Sequence, residues 1–139
     1  MNQALAEMFR YNRWAILTLL DSCRNLTSEQ LVARPPGVSG SIGELITHVV
    51  GGQQTGVLRT MGRQNEGEMG RWTGWPGIET VIEAARSSSD ELIAIAEALD
   101  EDREVDLPYM GKDFRFPVSF FLVAAIQHGV EHRTEIKVA

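Results

Sequence analysis

Cysteine is almost missing: Cys23 is the single one in 139 residues. That excludes an internal disulfide and suits a reducing compartment. The expected role of Cys23 is a small buried hydrophobe on the first helix. No apolar run approaches the roughly 18 to 20 residues of a membrane span. The opening MNQALAEMFRYNRW has no basic start leading into an apolar segment and no small-residue cleavage site, so no secretion signal is expected. A soluble, cytoplasmic protein with no membrane partner is the expectation. A basic stripe is also lacking: 13 Lys and Arg face 19 Asp and Glu, the net charge is −6, and neither sign forms a long run. Nucleic acid is therefore not an expected partner.

What is present is a globular composition, 43% hydrophobic and 23% charged. A second core would leave each half marginal, so residues 1–139 read as one domain. Leu5, Met8, Phe9, Asn12, Ile16, Leu19 and Cys23 recur at helical spacing and predict a first amphipathic helix. Pro35, Pro36, Gly37 and Gly40 then break it. A second helix begins at Ser41, where Ser41-x-x-Glu44 forms a capping box ahead of Leu45, Ile46 and Val49. The glycine-rich stretch MGRQNEGEMGRWTGWPG reads as a loop. Ile78, Val81, Ile82, Ala85, Leu92, Ala96 and Leu99 mark a third helix. Gly111 can turn a short hairpin between VDLPYM and KDFRF, although the segment is expected to be irregular as readily as paired. A fourth helix starts near Pro117.

Four helices without a firm sheet predict an all-α four-helix bundle. A helix of about 18 residues is roughly 27 Å long, and about 15 loop residues reach roughly 50 Å when extended. The long loop can run the length of the bundle, so the second and third helices need not be antiparallel.

The last helix, VSFFLVAAIQHGVEHRTEIKVA, carries two histidines in a core-like run. Phe121 and Ala125, stepped forward by a heptad, land on His128 and His132, so both imidazoles are expected to face inward. His48 lies on or beside the apolar stripe of the second helix. All three histidines of the chain thus fall at or near core-facing positions. Residues four apart on a helix lie roughly 6 Å apart at Cβ, so two imidazoles can converge on one ion. His48 would complete a three-nitrogen site, leaving a fourth position open as in catalytic zinc sites. Hydrogen-bonded core histidines are the equal alternative.

The string QHGVEHRTEI resembles the Asn-His-x-x-x-His-Arg-Gly-Gln-Ile signature on the last helix of the DinB/YfiT-like metal-binding four-helix bundles. FRYNRWAILTLL and SIGELITHVVGGQ are similar to that family's first and second helices, so the resemblance spans nearly the whole chain. It implies an up-down-down-up bundle and a divalent metal, zinc or nickel foremost, held by His48, His128 and His132. It also implies a homodimer, and a small-molecule reaction of transferase or isomerase type with a low-molecular-weight thiol as cosubstrate. Gln127 departs from the family's Asn, and Thr134-Glu135 from its Gly-Gln, so contacts beside the metal should differ.

An open three-histidine site suits that chemistry, because coordination deprotonates a thiol. It also suits hydrolysis by a bound water, or a non-catalytic protein that sequesters a metal or small molecule. His128-x-x-Glu131-His132 fits the inverted zinc-protease motif too, but the residues after His132 are not expected to supply its further acidic ligand. A ferritin-like di-metal centre needs Glu-x-x-His pairs in an order that Glu44, Glu131 and Glu135 do not provide.

Around the ligands, Glu44 and Glu135 each lie about one turn from a histidine and can accept its second N–H. The stronger expectation is a capping role for Glu44 and a solvated one for Glu135. Arg133 matches the family's arginine, pairing with an anionic substrate or anchoring a carboxylate. Tyr11 and Trp14 resemble its aromatic pair, with core packing the expected role. Gly51 and Gly52 either clear space for a ligand or allow close helix packing.

Overall fold

The computed structural model describes residues 2–64 and 72–139. It runs α1 (Gln3–Ser22), α2 (Ser28–Val32), α3 (Ile42–Thr60), α4 (Ile78–Ala98), β1 (Glu104–Tyr109), β2 (Lys112–Pro117) and α5 (Val118–Val138). The four expected helices are α1, α3, α4 and α5. Part of the expected glycine-rich loop, 65–71, lies outside the described residues. No helix among those described is long and apolar enough to cross a membrane.

Two features beyond the four helices, an unforeseen short helix and the hairpin that the sequence allows around Gly111, make the fold mostly helical with a small sheet rather than the expected all-α. The first is α2, a single turn closed by a capping box in which Thr27 Oγ1 accepts from Gln30 N–H and Gln30 Oε1 accepts from Thr27 N–H. Five residues are too few for an apolar stripe, so periodicity cannot announce it. The second is the antiparallel β1–β2 hairpin, in register from Glu104↔Pro117 to Tyr109↔Lys112. Met110 (φ 50°) and Gly111 (φ 76°) both take left-handed backbone at its tip, the conformation a two-residue hairpin turn demands and that glycine adopts freely.

Cross-helix contacts fix the helix directions. Arg10–Glu97 and Arg13–Asp90, with Arg24–Glu79 just past the end of α1, pair α1 antiparallel with α4. Gln53 bonds Ala85, Ser88 and Ser89, while Leu45 and Ile46 share one cluster with Val81 and Ile82. Thus α3 and α4 run parallel, as the long connection permits. Leu5 clusters with Val118 and Leu122, and Leu20 with Ile136, so α5 runs parallel to α1.

The core falls into two apolar clusters, one around Ile16, Leu20, Ile46 and Val81, the other around Phe9, Val57, Leu92 and Leu122. Cys23 packs in the first as expected, and burial pushes its thiol pKa up. Between the clusters lies a buried polar chain that touches all four long helices. Arg133 Nη1 donates to Asn12 Oδ1, Asn12 Nδ2 donates to Gln53 Oε1 at 3.2 Å, and Gln53 Nε2 donates to Ser88 and Ser89 Oγ, both at 2.8 Å. Each buried polar group left without a partner would cost about 1 to 3 kcal/mol. Among the described residues no buried side-chain nitrogen or oxygen lacks one.

Candidate metal centre

His48 comes from the middle of α3, and His128 and His132 from the last turns of α5. The antiparallel packing of these helices brings all three rings into one groove, where one nitrogen from each lies within 4.8 Å of the others. Ring centroids are 4.5 to 4.8 Å apart. Tetrahedral ligand nitrogens at about 2.0 to 2.1 Å from a zinc ion lie roughly 3.3 Å from one another, a spacing inside the range of this cluster. His48 Nε2 and His128 Nε2 are 3.0 Å apart. Two bare lone pairs repel at that distance, so the pair needs either a shared proton or a cation between them. The donor set and its spacing fit a divalent ion.

The rings do not face the core, contrary to the heptad reading. His48 is exposed, and His128 and His132 are half-buried. The buried residues of α5 are Val118, Phe121, Leu122, Gly129, Arg133 and Ile136, with Gly129 and Arg133 each one residue past a histidine. One residue is about 100° of helix, which turns both imidazoles from the core to the α3–α5 groove. The heptad reading started from Phe121 and Ala125, which themselves line the α3–α5 groove, Phe121 buried and Ala125 half-buried.

Two neighbours hold the rings. Glu135 Oε1 lies 2.7 Å from His132 Nδ1, while its Oε2 accepts from Ser39 N–H at 2.9 Å and Ser39 Oγ–H at 2.8 Å. The Ser39 bonds, led by the backbone one, hold the Glu135 pKa below the usual carboxylate range. An ionised carboxylate on Nδ1 fixes the tautomer that leaves His132 Nε2 free to ligate. Glu135 is thus a brace rather than a solvated residue. Gly52 is the second: a Cβ there would strike the His128 ring, 2.8 Å from Nδ1. The space cleared is for the histidine itself, and only a glycine permits it. Burial foremost, then the charges of His132, His48 and Arg59, push the His128 pKa to about 4. Partial desolvation of its ring by the neighbouring groups, then the charge of His132, also lowers that of His48, with Glu135 opposing. Both rings are therefore neutral at pH 7 and carry a ligand lone pair.

The remaining candidates scatter. Glu44 caps α3, its Oε2 accepting from Ser41 N–H at 2.8 Å and its Oε1 pairing with Arg34 at 2.6 Å, so it braces no histidine. Arg133 is 5% exposed and bonds the Asn12 carboxamide; burial lowers its pKa, with Tyr11 opposing. Among the described residues it pairs with no carboxylate. Tyr11 and Trp14 are 62% and 61% exposed and rest on each other, centroids 5.6 Å apart. Core packing does not describe them, and Met8 is likewise exposed rather than on the buried stripe. Ser39 and the polar chain were not anticipated; the one signal for the latter is Asn12, alone among apolar residues on its stripe.

A structural comparison finds similarity to the crystal structure of a DinB-like protein from Bacillus cereus ATCC 10987, with a TM-score of 0.70, 22% identity, and coverage of 99% of this chain and 91% of that one. At that identity the likeness bears on the fold alone. No curated protein matches the chain. The sequence model of the DinB superfamily matches residues 11–136, nearly the full length, and the chain belongs to that superfamily.

Proposed function

We propose that His48, His128 and His132 hold one divalent ion, zinc or nickel, in an up-down-down-up four-helix bundle, and that the protein transfers or isomerises a small molecule with a low-molecular-weight thiol. The observation that carries this reading is the convergence of three imidazoles from two helices, one braced by Glu135. Such an ion, held by these three nitrogens, would lower the pKa of a thiol or water bound beside them.

The protein's own groups favour thiol over water. Hydrolysis by a metal-bound water would be aided by a general base near that water. Glu44 is committed to Ser41 and Arg34, and Glu135 to Ser39 and His132. A thiol needs no such base, because it is already acidic enough to lose its proton on coordination. Cys23 is buried in the first core cluster with its thiol pKa raised, so a sulfur nucleophile would have to come from a cosubstrate. A turnover assay pairing a panel of thiols with electrophiles tests the reading. Metal binding without turnover would favour a sequestering protein, and thiol-independent ester cleavage a hydrolase.

The proposed homodimer rests on apolar side chains exposed on neighbouring helices, Met8, Tyr11 and Trp14 of α1 with Phe120, Val123 and Val130 of α5. Patches of this kind mark association surfaces. Light scattering at micromolar concentration checks it, and a monomer would reject it.

A further inference from the structure

Two chambers open on either side of the three imidazoles, and Thr47 and His48 form the wall they share. In the larger, about 490 Å³, Arg34 pairs with Glu44 at 2.6 Å, so its cation is already matched. The smaller, about 400 Å³, is floored by Gly51, Gly52 and Gly56 of α3 and walled by Phe121 and Ala125 of α5. A side chain at Gly56 would meet Ala125 at 3.5 Å, so small residues keep this chamber open. Its charged lining residue is Arg59, which has no carboxylate partner among the described residues.

We propose that the smaller chamber binds a ligand by its anionic end, with Arg59 as the group that recognises it and the ligand's sulfur directed to the three histidines. The sulfur in this statement rests on the thiol reading above; the anion does not. Position on the helix sets the ligand's length. His48, Gly52, Gly56 and Arg59 lie along one side of α3, and eleven residues separate His48 from Arg59, roughly 16 Å of axis. Helical side chains lean toward the N-terminus, so the guanidinium reaches back and leaves a gap of several ångströms. A thiol with its carboxylate several carbons away spans that gap; mercaptoacetate does not. A guanidinium fork matches a carboxylate with two parallel hydrogen bonds, whereas the larger chamber, its arginine neutralised, is left for an uncharged second substrate.

The test is calorimetric titration of the zinc-loaded protein with ω-mercaptohexanoate and its uncharged amide, and in parallel with hydroxamates of the same length ending in carboxylate or amide. Wild type should bind each carboxylate about tenfold or more tightly than its amide. Arg59→Gln should bind both alike with the amide affinity unchanged, and mercaptoacetate should gain nothing from Arg59. A preference that survives in Arg59→Gln, or no preference in either series, overturns the proposal. If the thiols fail to bind while the hydroxamates discriminate through Arg59, the anion site stands and the thiol reading falls.

Discussion

The Glu135 carboxylate joins His132 to the loop before α3, one oxygen 2.7 Å from His132 Nδ1 and the other bonded twice to Ser39. A carboxylate behind a ligating histidine fixes its tautomer and raises its basicity, and removing one typically costs 10- to 100-fold in metal affinity. Glu135→Ala should therefore weaken zinc binding by about that factor. A competition titration against a chromophoric chelator reads it directly. Unchanged affinity would mean that the carboxylate merely tethers the loop.

Gly52 offers a test in which stability and site move in opposite directions. Ala in a helix interior is favoured over Gly by about 1 kcal/mol, so Gly52→Ala should stabilise the metal-free protein or leave it unchanged. The added methyl meets the His128 ring, with Nδ1 at 2.8 Å and Nε2 at 3.1 Å. That ring must rotate aside, and metal affinity should fall at least tenfold. A variant that melts no lower yet binds zinc as wild type does would show that His128 is not a ligand in this pose.

Asn12 sits where one truncation orphans two partners. Asn12→Ala leaves the Arg133 guanidinium and the Gln53 oxygen without their bonds in a buried layer. With about 1 to 3 kcal/mol per unsatisfied group, the loss should be roughly 2 to 6 kcal/mol in urea denaturation, with no change in metal stoichiometry. A loss under about 0.5 kcal/mol, the range of ordinary surface changes, would mean that water replaces the carboxamide.

The sequence carried the long helices through stripes at helical spacing in α1, α3 and α4 and through two start signals, the Ser41–Glu44 box that caps α3 and Pro117 before α5. It carried the three histidines by type and spacing. It did not carry their facing, because the buried line of α5 includes a glycine and an arginine, Gly129 and Arg133, that no apolar pattern selects. Arg133 is tolerated there because Asn12 arrives from another helix, a pairing across most of the chain that local periodicity cannot contain. Ser39 is invisible for the same reason: its partner, Glu135, is distant in sequence. Tyr11 and Trp14 misled because their aromatic character suggested burial, while α1 turns its core face toward Phe9, Asn12 and Ile16.

His48 is the residue on which the whole site turns, because it alone comes from α3. If it were only a surface histidine, His48→Gln could keep a hydrogen bond to His128 Nε2, and added metal would affect both proteins alike. If it ligates, the variant has two nitrogens in place of three. A ligand that binds only the folded state stabilises it by RT ln(1 + [L]/Kd), about 2.7 kcal/mol at a hundredfold excess over Kd. A hundredfold weaker site retains only about 0.4 kcal/mol at the same concentration. Zinc or nickel added to chelator-stripped protein should therefore raise the melting temperature of wild type by several degrees and that of His48→Gln by less than one or two. The metal-free proteins should melt within a few degrees of each other, since His48 is exposed and outside both core clusters. Equal shifts on adding metal would place the ion elsewhere and leave His128 and His132 as a hydrogen-bonded pair in the groove.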